Sequence, residues 1–284
     1  MNNPIQASTE NLPFPRGTLK PAQSPLFWVQ NKDRYLRQLL ISDIQKLSGR
    51  ELLVYFSDCD RSEAQIEPSD DIYLSELLRA SRTDKIDLLL ETNGGFTDAT
   101  EKVCSVITSS GKDVRVVVPR RAKSNGTVIA FCGSSIVMGL DSELGPIDPH
   151  LNNMPCDFIV KIEGIDPLVL LSAQAGIQQT KKLASQLLKA KMLKDKDEAH
   201  VDVIVQRLAS RDQYHSHGSV IDASEAMKLG LSVELLPPDD PMWQQLWLLR
   251  TIYSHDCLAR GYSKVFESEY VSSPIVMPRP AGAR

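Results

Sequence analysis

Two short stretches carry residue types that could do acyl-transfer chemistry. The first is Arg120-Arg121-Ala122-Lys123-Ser124-Asn125-Gly126-Thr127, between a valine-rich run, Val114 to Val118, and an apolar run, Val128 to Cys132. A buried strand, a turn and a helix fit that order, which puts Ser124 at the turn, beside the unpaired N–H groups that open a helix. The second is Asn93-Gly94-Gly95-Phe96, after the strand-like Ile86-Asp87-Leu88-Leu89-Leu90. Paired glycines free a strand end from side-chain bulk, so that its N–H groups can approach a ligand. Acyl transfer by serine needs a nucleophile, a base and donors for the oxyanion. Ser124 suits the first part and Gly94 and Gly95 the third. Each also has an ordinary reading: Ser124 as a helix cap, and Gly94-Gly95 as a strand-to-helix turn.

The elements that must position these residues alternate. Strands are expected at Glu51–Phe56, Ile86–Leu90, Val114–Val118 and Ser135–Met138. Helices are expected from Asp33 to Leu47, from Asp70 through Leu78, from Thr97 to Ser110, and after Ser124. Strands and helices alternating at short spacing favour an α/β fold with largely parallel strands, and neighbouring parallel strands bring both loops to one sheet edge. Beyond His150 the chain reads as mostly helical. Leu168 to Leu193 is a long helix with Leu171, Ala175, Leu183, Leu187 and Leu188 available for burial. A second helix carries Val201, Val205 and Leu208. Asp222-Ala223-Ser224-Glu225 opens a capped helix ending at Gly230, Leu231 to Leu236 is a strand, and Asp240-Pro241 opens a last helix through Trp243 and Ile252. Residues 1–32 are expected to be a flexible tail, in which Phe27-Trp28-Val29 could dock on the body or on a neighbouring subunit. Residues 33–258 form one domain, and residues 259–284 form a second tail, loose from Ser268.

Composition narrows the classes. The chain has 284 residues, 42% hydrophobic and 24% charged, enough for a substantial core. A net charge of -4 makes nucleic acid an unexpected partner. The cysteines, Cys59, Cys104, Cys132, Cys156 and Cys257, are odd in number and scattered, with no CxxC. That pattern argues against a disulfide framework or a zinc site and for a reducing cytosol. No run approaches the ~20 apolar residues of a membrane span, and no signal peptide is evident. There is no GxGxxG after a strand and no motif for a pyridoxal lysine, so no cofactor is expected.

Asn93-Gly94-Gly95, Ala122-Lys123-Ser124-Asn125-Gly126-Thr127 and Leu144-Gly145-Pro146-Ile147-Asp148-Pro149 together resemble the motifs of the serine dehydrogenase proteinase family, relatives of the Clp protease subunits and signal peptide peptidase A. The resemblance runs from about Glu51 to Cys257 and is densest between Leu88 and Pro149. It implies a Clp/crotonase-like spiral of ββα units followed by a mainly helical segment. It further implies a serine peptidase with Ser124 as nucleophile and the Gly94–Gly95 backbone as oxyanion donors, acting on peptides or proteins and assembling into homo-oligomers. The chain departs from the family where Lys123 and Asn125 replace the usual Met and Ala, and where His150 replaces the usual Gln.

The base is less determined. The resemblance places an acid at Asp148, where Clp subunits have a histidine. It places a histidine in Tyr214-His215-Ser216-His217-Gly218, so Ser124, Asp148 and His217 could converge. Asp148 could equally be a turn residue before Pro149, and His217 a loop or capping residue. His150 is a second candidate base. Signal peptide peptidase A uses a lysine, and by that analogy Lys161, Lys181 or Lys182 could serve. Two other classes stay open: a non-catalytic Clp-fold protein for peptide binding or assembly, and crotonase-like acyl-CoA chemistry, which would not need Ser124.

Overall fold

The computed structural model describes residues 24–276; residues 1–23, most of the expected N-terminal tail, lie outside it. In chain order the elements are α1 (Pro25–Gln30), α2 (Lys32–Ser48), β1 (Glu51–Ser57), α3 (Asp70–Ala80), β2 (Lys85–Glu91), α4 (Thr97–Ser109), β3 (Asp113–Val118), β4 (Arg121–Ala122), α5 (Asn125–Ala130) and β5 (Ile136–Met138). They continue with β6 (Glu143–Leu144), β7 (His150–Leu151), β8 (Met154–Pro155), α6 (Cys156–Ile159), α7 (Pro167–Ala190), α8 (Glu198–Ala209), α9 (Ala223–Lys228), β9 (Val233–Leu235), α10 (Pro241–Arg260), β10 (Tyr262–Glu267) and β11 (Ser272–Val276).

The sheet is built from apolar runs that are buried on both faces. Its order is β11-β10-β1-β2-β3-β5-β9. The strands from β1 to β9 are parallel, and β10 and β11 add an antiparallel edge. Alternation along each strand sorts the core into two layers. Leu52, Val54, Phe56, Leu89 and Val117 face α2 and α10, whereas Leu53, Tyr55, Leu88, Leu90 and Val116 join the core on the opposite face. Among the described residues, no helix is long and apolar enough to cross a membrane.

A second, smaller set of pairings lies beyond the C-terminal ends of the main strands. Ile66 bridges Gly95, Thr92 bridges Ala122, Ala122 pairs with Leu144, and Leu144 bridges Ile221. These short second strands make the ββα units, and the α/β architecture is the one expected.

Both expected tails need correction. Residues 25–30 are helical, with the Ser24 hydroxyl accepting the Phe27 N–H. Residues 262–276 are two strands of the main sheet. Buried charges hide this segment from a hydropathy reading. Lys264 Nζ lies 2.9 Å from Asp70 Oδ1, and Glu267 Oε2 accepts from Arg37 Nε at 2.7 Å, with all four side chains almost wholly buried. Such strands are apolar only after their charges are paired.

Burial on α7 also differs from the periodicity. Leu171 and Ala175 of α7 face solvent, while Leu183, Leu187 and Leu188 are buried. Trp243 of α10 is 4% exposed and packs on Gly139, where a Cβ would lie 2.1 Å from its ring.

Candidate active site

The pairing ladder delivers the site loops. In a parallel ladder, residues just past each bridge leave on the same side, so Gly95 after Thr92 and Ser124 after Ala122 become neighbours. The last rung, Leu144 to Ile221, is antiparallel. Counting outward from it, the residue four after Leu144 meets the residue four before Ile221; these are Asp148 and His217. The two are 69 residues apart in sequence, and His217 Nδ1 lies 2.8 Å from Asp148 Oδ1.

Ser124 holds the N-cap position of α5, yet its hydroxyl makes no capping bond. Its backbone has φ 53° and ψ -123°, a region that costs a non-glycine residue about 1–3 kcal/mol. Strained strand–turn–helix elbows of this kind present a nucleophile above a sheet edge. Thr127 Oγ1 stabilises the elbow from beneath, bonded to Ala122 O at 2.7 Å and to the Gly145 N–H at 3.0 Å. A side chain at Gly126 would come 2.6 Å from Thr92 Cγ2, so the turn packs this closely only with glycine there.

The glycine loop lies against the elbow. Gly94 has φ 102°, and an added Cβ would be 2.7 Å from Ser124 Cβ. The Gly94 N–H donates to Thr92 Oγ1 at 3.1 Å. Gly95 is different. Its neighbours pair with Ile66 through Gly94 O and the Phe96 N–H, which turns Gly95's own N–H and C=O to the opposite side. There Gly95 O accepts from Asn125 Nδ2 at 2.6 Å. Among the described residues, the N–H groups of Gly95 and Asn125 have no protein acceptor.

Asn125 and Lys123, on either side of Ser124, act as ties. Asn125 clamps the glycine loop to the elbow. Lys123 Nζ lies 3.0 Å from Glu143 Oε2 and donates to Gly218 O at 2.9 Å, which draws the His217 loop toward the residue next to Ser124.

Ser124, Gly94, Gly95, Asp148, His150 and His217 all line one cleft of about 440 Å³. Asp148 is buried at its inner wall. Burial opposes its charge, but the hydrogen bond and charge of His217, with the charges of Arg211 and His150, hold its carboxyl below the ordinary range. His150 Nε2 lies 3.1 Å from Asp148 Oδ2, and the His150 and His217 rings sit tilted at 42° with centroids 4.3 Å apart. Burial, reinforced by His217, depresses the proton affinity of His150 despite Asp148. The lysines lie elsewhere. Lys161 is exposed and faces Asp212, while Lys181 and Lys182 line a separate groove between α7 and α8.

Arg211 is the site residue that the sequence reading missed. Its Nε lies 2.7 Å from Asp148 Oδ2 as an ion pair outside hydrogen-bond alignment, and its Nη2 is 2.8 Å from His150 Nε2. No motif marks it; the one available signal was its place six residues before His217. Asp148, His150 and His217 could each offer one ligand atom to a metal, within 4.8 Å of one another. Arg211 contacts two of these three residues, and its fixed positive charge opposes a cation there.

A family model described as ClpP-like SDH-type serine proteinase matches residues 63–274. Two uncharacterized proteins of Methanocaldococcus jannaschii are similar. One is 30% identical over 206 residues, covering 69% of this chain and 68% of the relative. The other is 27% identical over 175 residues, covering 57% and 58%. Among solved structures, a mutant of a membrane-bound stomatin-specific protease is similar at 18% identity and TM-score 0.41, covering 64% of this chain and 79% of that one. A ClpP1 mutant from Listeria monocytogenes is similar at 13% identity and TM-score 0.46, covering 70% and 98%. With its model matched over most of the described residues, the chain belongs to the family of ClpP-like SDH-type serine proteinases.

Proposed function

We propose that this chain hydrolyses peptide bonds through an acyl-enzyme on Ser124. The observation that carries the reading is the Asp148–His217 hydrogen bond in the cleft that also presents Ser124 on its strained turn. With Nδ1 held by Asp148, His217 keeps Nε2 for base work. Ser124 Oγ attacks the peptide carbonyl carbon as its proton passes to His217 Nε2. Collapse of the tetrahedral intermediate breaks the C–N bond, and the same proton goes to the leaving amine. Water, deprotonated by His217, then releases the acyl group and regenerates Ser124. The oxyanion is held by the Gly95 and Asn125 N–H groups, while Gly94 gives the loop its close approach to Ser124.

The substrate class is peptide or protein, because the cleft is open and rimmed by backbone donors. Five free cysteines suit a reducing, cytosolic location. Homo-oligomer formation is supported by Leu168 and Leu171, 73% and 60% exposed on α7.

Labelling with a fluorophosphonate, followed by peptide mapping, tests this reading. The label is expected on Ser124 and is lost in Ser124→Ala. His217→Ala should slow turnover by several orders of magnitude, roughly 10⁶-fold where such units have been dissected. A folded wild type that takes no label refutes the mechanism. Saturable peptide binding without turnover would then favour the non-catalytic reading.

A further inference from the structure

Asp148 faces two imidazoles, and either one could in principle be the base it supports. Its Oδ1 meets His217 Nδ1 at 2.8 Å, and its Oδ2 lies 3.1 Å from His150 Nε2. Arg211 distinguishes them. Its guanidinium is 7% exposed and contacts both Asp148 Oδ2 and His150 Nε2. A guanidinium has donors and no acceptor. At 2.8 Å from Arg211 Nη2, His150 Nε2 must therefore be the nitrogen with the lone pair, and the His150 proton sits on Nδ1. In that tautomer His150 has nothing to donate to Asp148, and the guanidinium bridges the two acceptors. His217 is left as the histidine that donates to the carboxylate, with its own proton on Nδ1.

Arg211 also holds the loop that carries His217. Its Nη1 donates to His215 O at 3.0 Å, and His215 Nδ1 lies 3.1 Å from Arg211 O. The Arg211 N–H in turn donates to Asp157 Oδ2 at 2.9 Å, which fixes the arginine to α6.

We propose that Arg211 is a positioning residue that locks His150 in the Nδ1–H tautomer and reserves Asp148 for His217. The catalytic consequence rests on the peptidase reading; the tautomer does not. Long-range ¹H–¹⁵N spectra of the full chain with ¹⁵N-histidine, assigned with His150→Gln and His217→Gln, read the tautomers directly. Wild type is expected to show His150 with Nε2 bare and Nδ1 protonated. Arg211→Met should move the His150 proton to Nε2, where it can donate to Asp148. Arg211→Lys, which keeps the charge without the fork, should give an intermediate mixture. Wild-type His150 protonated on Nε2 overturns the proposal even if Arg211→Met does not fold, and so does a folded Arg211→Met with the wild-type tautomer. In parallel, the fluorophosphonate labelling rate should fall at least 10-fold in Arg211→Met and recover in part in Arg211→Lys. No labelling of wild type with the expected tautomer would sink the peptidase reading and leave the role of Arg211 in place.

Discussion

Replacing Ser124 by glycine should make the protein more stable while abolishing its chemistry. Ser124 sits at φ 53° and ψ -123° with no capping bond from its hydroxyl. The backbone term costs about 1–3 kcal/mol for a residue with a Cβ. Glycine adopts positive φ freely, but gives back roughly 0.5–1 kcal/mol through the greater freedom of its unfolded chain. The balance favours glycine by about 1 kcal/mol, or about 2–4 °C in melting temperature for a chain of this size. Ser124→Ala keeps both Cβ and strain and loses a hydroxyl that caps nothing, so it should stay within about 0.5 kcal/mol of wild type. Urea denaturation and thermal melts of the three proteins, beside their labelling rates, make the comparison. If Ser124→Gly melts at or below Ser124→Ala, the elbow is not strained and its reading as a stressed nucleophile turn is wrong.

Lys264→Ala should destabilise the fold by roughly 3–5 kcal/mol, because it leaves Asp70 charged and buried without its cation; a urea midpoint near that of wild type would contradict the pairing. Gly95→Ala should cost about 1–3 kcal/mol or more, since the new Cβ would lie 2.3 Å from the Ile66 N atom; melts and labelling should fall together. The fourth prediction concerns pH. The folded-state pKa of His150 is depressed from 6.5, so below that value the unfolded chain binds the proton first and stability falls as pH falls, until the folded ring also protonates. His150→Gln should therefore flatten the loss of stability as pH falls below 6.5, and an unchanged slope by chemical denaturation would count against it. Asp148, depressed in the folded state, acts in a separate window. Its contribution is present above the ordinary carboxylate value of 3.8 and is lost below it, as pH falls through the folded value.

Much of the fold was legible because its signals are local. The apolar runs at β1, β2 and β3 are short and interrupted only by Asp87 in β2 and Arg115 in β3, as suits strands buried on both faces. Asp222 and Asp240 cap their helices through the Glu225 and Trp243 N–H groups, three residues on in each case. The glycine loop and the serine turn could be placed at one sheet edge from strand order alone. Strand β10, paired between β11 and β1, was not legible, since its Lys264 and Glu267 read as surface charges until Asp70 and Arg37 are brought to them.

The site divides in the same way. The types and spacing of Gly94, Gly95 and Ser124 are properties of short segments, fixed by backbone geometry within a few residues. Which histidine donates to Asp148, which glycine N–H is left without an acceptor, and what Arg211 does are set across 69, 29 and 63 positions of the chain. Even the shortest of these depended on the Ile66 bridge to turn Gly95 toward Asn125. Sequence determines a contact when the two groups share a turn of helix or a rung of strand. When they meet only through the antiparallel rung between Leu144 and Ile221, the register of that rung decides, and only the folded chain sets it.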